Sequence, residues 1–587
     1  MSNPQQPFQL WTRRRAAARR TAVRIPTDAP TTEVIFLVMR RMRVPLIVVV
    51  TTFSFCTAGM LFMPGTDADG NPYRLNIFDA FYQMTITLTT VGYTEAPYPF
   101  SYPQRMWLSM SIFLLVISWA YTIGVFLALV QGSAFQSAVA AQQFRRQVRR
   151  LVEPFFIVAG YGDAGRIVGA ELDEHYRRFV IIDGREERVQ AVISEQLSFD
   201  VPAVQGDCAA PAVLGMAGLG NRNCAGVLAL TDDDDTNLAV VMAASLLRPE
   251  LPVFGRCARH RTRTRMEHFA PGSAINADDR FGDYLALSIH QPVSHQLLRW
   301  LMDNDQEQLP AVRRDLATRR WLVCADGEFG EAVISDLAAI GVSVDLVDPD
   351  GGDPDVSGSV ALVAGTTSDT VNIAMAERAR HANPDVYLVL RQQTNAKRAL
   401  LESLQIDAVH IATELIAREV LARTLTPEFW SFVEHALTRD DQWATDVRDR
   451  LIDRCGRRTP ERDVITLSTE HAPAIADWLR RGHPLTLGTL LRQPDDREST
   501  LPLAALVLIR GGQTQFVPAE DTALEVGDRV LLVGKPSGLS QVRDICHYPA
   551  TVEYLATGRD VPLTWVWATL TARRRARGDV SPPATRT

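Results

Sequence analysis

The sequence predicts an α-helical two-span membrane domain, then α/β modules of the doubly wound kind, then a small α+β lobe. Three observations carry this. Two apolar runs without a formal charge, Val44–Met63 and Met106–Val130, are each long enough as helices to cross a bilayer core of about 30 Å. Downstream, short apolar strand runs alternate with helical stretches, which is the pattern of a parallel sheet with crossover helices. That pattern occurs twice, a repeat at domain scale.

Composition narrows the function. The 587 residues suffice for three or four domains, and the net charge of -7 argues against a nucleic-acid partner. Seven cysteines (Cys56, Cys208, Cys224, Cys257, Cys324, Cys455, Cys546) lack CxxC spacing, so they read as reduced thiols, neither a disulfide frame nor a zinc site. No cleavable signal peptide is expected, because the first long apolar run starts only near Val44.

Residues 1–43 are polar and rich in arginine: Arg13, Arg14, Arg15, Arg19, Arg20 and Arg24, then Arg40, Arg41 and Arg43. Such charges either set topology or attract anionic lipid. Arg145, Arg146, Arg149 and Arg150 follow the second run, whereas the loop between the runs carries Asp67, Asp69, Asp79 and Glu95 against Arg74 and Arg105. Both termini are therefore expected on the cytoplasmic side of the cell membrane. Within residues 44–130, Asn76–Leu88 is semi-apolar and too short to cross, so it reads as a re-entrant helix capped by Asn76. Its C-terminal dipole end favours a cation.

Directly after it, Thr87-Leu-Thr-Thr-Val-Gly-Tyr-Thr-Glu95 resembles the selectivity filter of potassium channels, whose pattern is Thr-x-Thr-Thr-Val-Gly-Tyr-Gly-Asp. The resemblance implies a carbonyl-lined tube with K+ at Thr90, Val91, Gly92 and Tyr93, where Gly92 supplies a positive φ and Thr90 adds a hydroxyl. Thr94 replaces the family's second glycine and Glu95 its aspartate, so the outer site departs from the pattern. One chain offers one filter strand; a closed tube needs a homotetramer. Gly124 is either a bending point of the second span or a small residue easing helix contact. Residues 131–154 lose apolar character and read as a linker.

Residues 155–320 form the first α/β module. Phe155–Ala159 is a strand run, Gly160-Tyr161-Gly162-Asp163-Ala164-Gly165 a glycine turn opening a helix, and Phe179–Ile182 a second strand ending in Asp183. Strand, GxGxxG turn, helix and terminal acid in that order point to a Rossmann-like dinucleotide site, the amides taking a pyrophosphate and the acid a ribose. Further strands are expected at Val201–Val204, Ala225–Leu230 and Pro252–Gly255. With Gln205-Gly206-Asp207, the run Thr231-Asp232-Asp233-Asp234-Asp235-Thr236-Asn237 and Arg256, this module resembles the regulator-of-potassium-conductance (RCK) domains, also found in Trk/Ktr regulatory subunits. The resemblance implies an adenine nucleotide, NAD(H) or ADP/ATP, near Gly160, Gly162, Asp163, Ala164, Gly165, Asp183, Asp207, Thr231 and Arg256. Asp232–Asp235 either hold Ca2+ or form a solvated loop capping the next helix.

The second module, residues 321–460, repeats the plan: strand Trp321–Ala325, degenerate turn Gly327-Glu328-Phe329-Gly330, and strand Val344–Val347 before Asp348. Ala364-Gly365-Thr366-Thr367 reads as the counterpart of the Gln205 region, and Val386–Leu390 with Arg391 as that of the segment ending in Arg256. Ala325 stands at the first glycine position, so this module is expected to bind nucleotide poorly. Tyr284–Met302 and Ile411–Leu425 have helical periodicity and resemble the crossover helices by which RCK domains pair; core packing gives the same pattern. Residues 461–546 resemble the TrkA-C-like lobe, with His483 read as structural. The tail, 547–587, holds the apolar run Val561–Leu570 before Arg573, Arg574 and Arg575.

Three readings follow. The first is a tetrameric, non-enzymatic potassium channel gated by a ring of eight RCK domains, its ligand shifting the populations of open and closed rings. The second is a membrane-tethered NAD-dependent enzyme, which requires a catalytic His, Lys or Tyr constellation that the sequence does not display. The third, motivated by Thr94, is a regulatory subunit whose pore does not conduct.

Overall fold

The computed structural model describes residues 34–91, 95, 97–302, 308–313, 316, 320–348, 355–393 and 398–559. The arginines up to Arg24, the filter residues Gly92, Tyr93 and Thr94, and the run Val561–Leu570 with its following arginines lie outside them. The described residues form two compact units, one of residues 34–160 together with 178–225, the other of 161–177 together with those from 226 onward.

In the first unit, α1 (Val34–Phe62) and α3 (Tyr102–Val130) are, among the described residues, the two helices long and apolar enough to cross a membrane. α1 starts before the apolar run, so Arg40, Arg41 and Arg43 project as exposed side chains from the helix itself. A two-stranded antiparallel hairpin, β1 (Gly65–Thr66) and β2 (Pro72–Tyr73), leads to the short helix α2 (Ile77–Leu88). Asn76 caps α2 by accepting the Asp79 N–H at 2.8 Å, the predicted start. Ala80 and Met84 seat it against Cys56, Met60 and Leu115, and the Trp107 indole donates to the Cys56 carbonyl at 3.0 Å.

Most of the predicted linker is a helix, α4 (Ser133–Arg150). It buries Phe144 and Val148 and packs on β5 (Ala203–Gln205). That strand pairs in parallel with β4 (Arg178–Asp183), and β4 with β3 (Phe155–Ala159), giving the order β5-β4-β3. All five residues of β3 are buried, as expected of a sheet covered on both faces.

The second unit holds α5 (Asp163–Glu174), which opens from the glycine turn. The first unit also contains α6 (Glu186–Ser194) and α7 (Pro211–Met216). Then β6 (Cys224–Ala229), β7 (Val253–Arg256) and β8 (Ala274–Ile275) run parallel, joined by α8 (Asp234–Leu247) and α9 (His260–Phe269). The single helix expected at Tyr284–Met302 is two, α10 (Ala277–His290) and α11 (Pro292–Met302), because Pro292 disfavours helical backbone at Gln291.

The second module is an all-parallel sheet of order β10-β9-β11-β12-β13, from β9 (Arg320–Ala325), β10 (Val344–Leu346), β11 (Ser359–Gly365), β12 (Tyr387–Gln392) and β13 (Ala408–Ile411). Its helices are α12 (Gly327–Ala339), α13 (Asp369–Ala382), α14 (Arg398–Ser403) and α15 (Ala412–Leu425). Two further helices, α16 (Pro427–Ala436) and α17 (Asp441–Cys455), lead into the C-terminal lobe. There β14 (Glu461–Thr466), β15 (Leu503–Arg510), β16 (Gln513–Phe516) and β17 (Arg529–Gly534) form an antiparallel sheet of order β14-β17-β15-β16, with α18 (Pro473–Arg480), α19 (Leu487–Leu490), α20 (Pro536–His547) and α21 (Pro549–Thr557). Alternate residues serve two cores: Leu531 and Val533 join α11, α16 and α17, while Val530 and Leu532 face the core that holds Ile475 and Val542. The His483 ring lies against that of Trp478, centroids 4.4 Å apart.

Candidate functional site

The loop after α2 is built by the helix end. Thr90 donates its N–H to the Thr87 carbonyl at 3.1 Å, and Val91 donates to Ile86 at 3.0 Å. This is a Schellman closure, whose pivotal residue is left-handed and usually glycine. Here it is Thr90, at φ +58°. The predicted cation ligands Thr90 and Val91 are both exposed at the C-terminal, negative end of α2. Beyond them, the Glu95 carboxylate accepts Arg105 Nε at 3.1 Å, Arg105 Nη2 at 3.0 Å and the Phe100 N–H at 2.9 Å. Those bonds hold its carboxyl below the usual range. Glu95 thus clamps the loop to the start of α3, a role no single motif residue announced.

In the first unit, Gly160 sits at φ +98° and donates its N–H to the Ile182 carbonyl at 2.8 Å, so a side chain there would be strained. Asp183 is 3 % exposed; its Oδ1 accepts the Arg185 N–H at 2.8 Å and Oδ2 lies 3.4 Å from Arg188 Nη1. Next to it Gly184, Arg185, Glu186, Gln190 and Gln205 line an open depression of about 550 Å³. Asp207 is exposed and accepts the Ala209 N–H at 2.9 Å. Burial, then Asp183 and Asp207, push the Cys208 thiol up to about 12, so it stays protonated.

In the second unit, Gly162 is the N-cap of α5, Asp163 is exposed in its first turn, and Ala164 and Gly165 are buried. Thr231 and Arg256 are brought together by Asn237, which is fully buried. The Asn237 amide donates to the Thr231 carbonyl at 2.8 Å and the Arg256 carbonyl at 3.0 Å, and its Oδ1 accepts the Thr231 N–H at 3.0 Å and hydroxyl at 2.7 Å. The sequence signal for Asn237 is the spacing Thr231-x5-Asn237, repeated at Thr366-x5-Asn372.

The four aspartates do not converge on a metal. Asp232 pairs with Arg256 at 2.9 Å, Asp233 caps α8 by accepting Thr236 N–H, Asp234 accepts the Ala258 and Arg259 N–H groups at 2.9 Å each, and Asp235 is exposed. Each of the first three is committed to a structural bond, and no His, Cys, Asp and Glu cluster fit for a metal occurs among the described residues. Of the two alternatives for Asp232–Asp235, these bonds are those of a loop capping the next helix, and they lend Ca2+ no support.

The second module corrects one correspondence. Asn372 binds the Thr366 and Arg391 carbonyls at 2.9 Å each and accepts the Thr366 N–H and hydroxyl at 3.0 and 2.7 Å. Ala364–Thr367 is therefore the counterpart of the Thr231 region, not of Gln205; Arg391 matches Arg256 as expected.

The fold is that of two helices long and apolar enough to cross a membrane, followed by Rossmann-like parallel-sheet modules. Residues 156–275 match the family model of the TrkA-N domain. Potassium channel protein 1 of Methanocaldococcus jannaschii is 22% identical over 191 residues, covering 32% of this chain and 56% of that protein. The chain thus spans just over half of that relative's length. Among solved structures, the GsuK channel bound to NAD aligns with 88% of this chain and 99% of its own at 13% identity, with a TM-score of 0.40. GsuK bound to ADP aligns with 68% and 100% at 14% identity, with a TM-score of 0.35. The chain accordingly carries a TrkA-N domain and is homologous to a potassium channel protein.

Proposed function

We propose that the chain is a potassium channel of the cell membrane, active as a homotetramer and gated by an adenine nucleotide bound at the first module. The observation that carries this is α2: a helix too short to cross, held between two spans and followed by Thr89-Thr90-Val91, with its negative dipole end toward them. Ile77, Phe78, Phe81 and Tyr82 leave an exposed apolar face on that helix, which neighbouring copies around a pore would cover. Gating by nucleotide is supported by the TrkA-N match and by the linker helix. α4 lies on β5, whose partner β4 ends in Asp183, so a ligand beside Asp183 acts next to the segment leading to the pore. The roles are binding and conduction, without catalysis, and the octameric ring and cytoplasmic termini belong to the same proposal.

The test is K+ flux from liposomes containing the purified full-length chain, with and without NAD or ADP. Flux that changes with nucleotide, is abolished by Gly92→Ala and loses its nucleotide dependence in Asp183→Ala is the expected result. Absence of flux in every condition favours the non-conducting regulatory subunit.

A further inference from the structure

The second module repeats the first module's turn with four changes, one of them the conservative Glu328 for Asp163. Ala325, Asp326 and Phe329 stand where Gly160, Tyr161 and Ala164 stand in the first. Phe329, in the first turn of α12, is 1 % exposed. Its ring lies across the carboxyl ends of the strands. A Cβ on Gly365, the last residue of β11, would collide with Phe329 Cε1 and meet the Ala325 Cβ at 2.8 Å. Arg391, on β12, places its guanidinium carbon 5.0 Å from the ring centroid. His410, on β13 and bonded to Asp278 at 2.8 Å, stacks on the ring at 4.9 Å.

The place matters because β10 flanks β9 on one side and β11 on the other, so strand order reverses between β9 and β11. Open α/β sheets bind their ligands outside the carboxyl ends at such a reversal. The polar groups there already have partners. Asp326 Oδ2 accepts the Thr367 N–H at 3.3 Å and its hydroxyl at 3.4 Å, and Asp326 Oδ1 lies 3.8 Å from Arg391. A carboxylate at the mouth also repels a phosphate. Yet the scaffold beneath is intact, since Thr366, Asn372 and Arg391 repeat the bonds of Thr231, Asn237 and Arg256.

We propose that Phe329 is a built-in occupant of a second, closed nucleotide crevice, so that each chain takes one nucleotide and the second site opens when the ring is removed. That the opened crevice takes a nucleotide rests on the reading of the first module as a nucleotide site. The triple variant Ala325→Gly, Asp326→Tyr, Phe329→Ala gives the second turn the pattern Gly-Tyr-Gly-x-Ala-Gly of the first.

Equilibrium binding of ADP to the full-length chain in detergent tests it. Wild type is expected to bind one ADP per chain, the triple variant two, and Phe329→Leu, which keeps the crevice filled, one. Two equivalents in wild type, or a folded triple variant that gains none, overturns the proposal. If wild type and triple variant both bind none, the first-module reading fails with it; if both bind one, the plug alone is rejected. Should the triple variant not fold, photolabelling of wild type with an azido-ADP decides: label between residues 325 and 391 overturns the plug, and label confined to the first module supports it.

Discussion

Thr90 closes α2 at φ +58°, where a β-branched side chain costs about 1–2 kcal/mol relative to glycine. Strain of this kind persists where surroundings over-determine it, and it concentrates at functional loops. The sequence pointed to Thr90 through its hydroxyl and gave no sign of its positive φ, because a motif names residue types and not which of them ends the preceding helix. The two roles separate in Thr90→Gly. Unfolding of this variant should shift toward greater stability by about 1 kcal/mol, the relief of strain less the entropy of a glycine. Potassium flux should fall nonetheless, since the hydroxyl is gone. Thermal unfolding and liposome flux on the same preparation check this, and a variant that loses stability refutes the strain.

At the scale of elements, the strand–turn–helix units were legible because glycine turns, apolar runs and terminal acids are local signals. Their correspondence across the repeat was less so. By sequence Ala364–Thr367 reads as the counterpart of the Gln205 region, and only the hydrogen bonds of Asn372 place it with Thr231. Asn237 and Asn372 are both fully buried and each ties the ends of two strands together. Replacing either with alanine strands buried backbone groups and should cost about 2–3 kcal/mol. The consequences for ligand differ. Asn237→Ala should also weaken ADP binding several-fold, whereas Asn372→Ala should leave it unchanged, because its module is closed. Urea unfolding paired with ADP titration distinguishes the two; equal effects on binding would make both modules nucleotide sites.

At the scale of the molecule, the contacts that join modules were the least legible, because partners far apart in sequence leave no pattern in a single chain. Arg280 on α10 forks onto Glu419 on α15 with two bonds of 3.1 Å, and Arg423 one turn later pairs with the same carboxylate. Arg423 also donates to the Gly272 carbonyl at 2.6 Å and lies 4.8 Å from the Trp430 ring centroid. Burial pulls its pKa down, and Glu419 opposes that. The same α15 packs on α5, so the triad ties the end of the second module to the helix opening from the first module's glycine turn. Glu419→Gln leaves two guanidinium groups without their buried counter-charge and should cost about 3–5 kcal/mol. Replacing the whole triad with Arg280→Met, Glu419→Leu and Arg423→Met should recover most of that loss, since it removes the charges along with their partner. If the triad transmits gating, the apolar version should bind ADP with wild-type affinity while its K+ flux no longer responds to ADP. A folded triple variant that still gates would confine these three residues to holding the modules together.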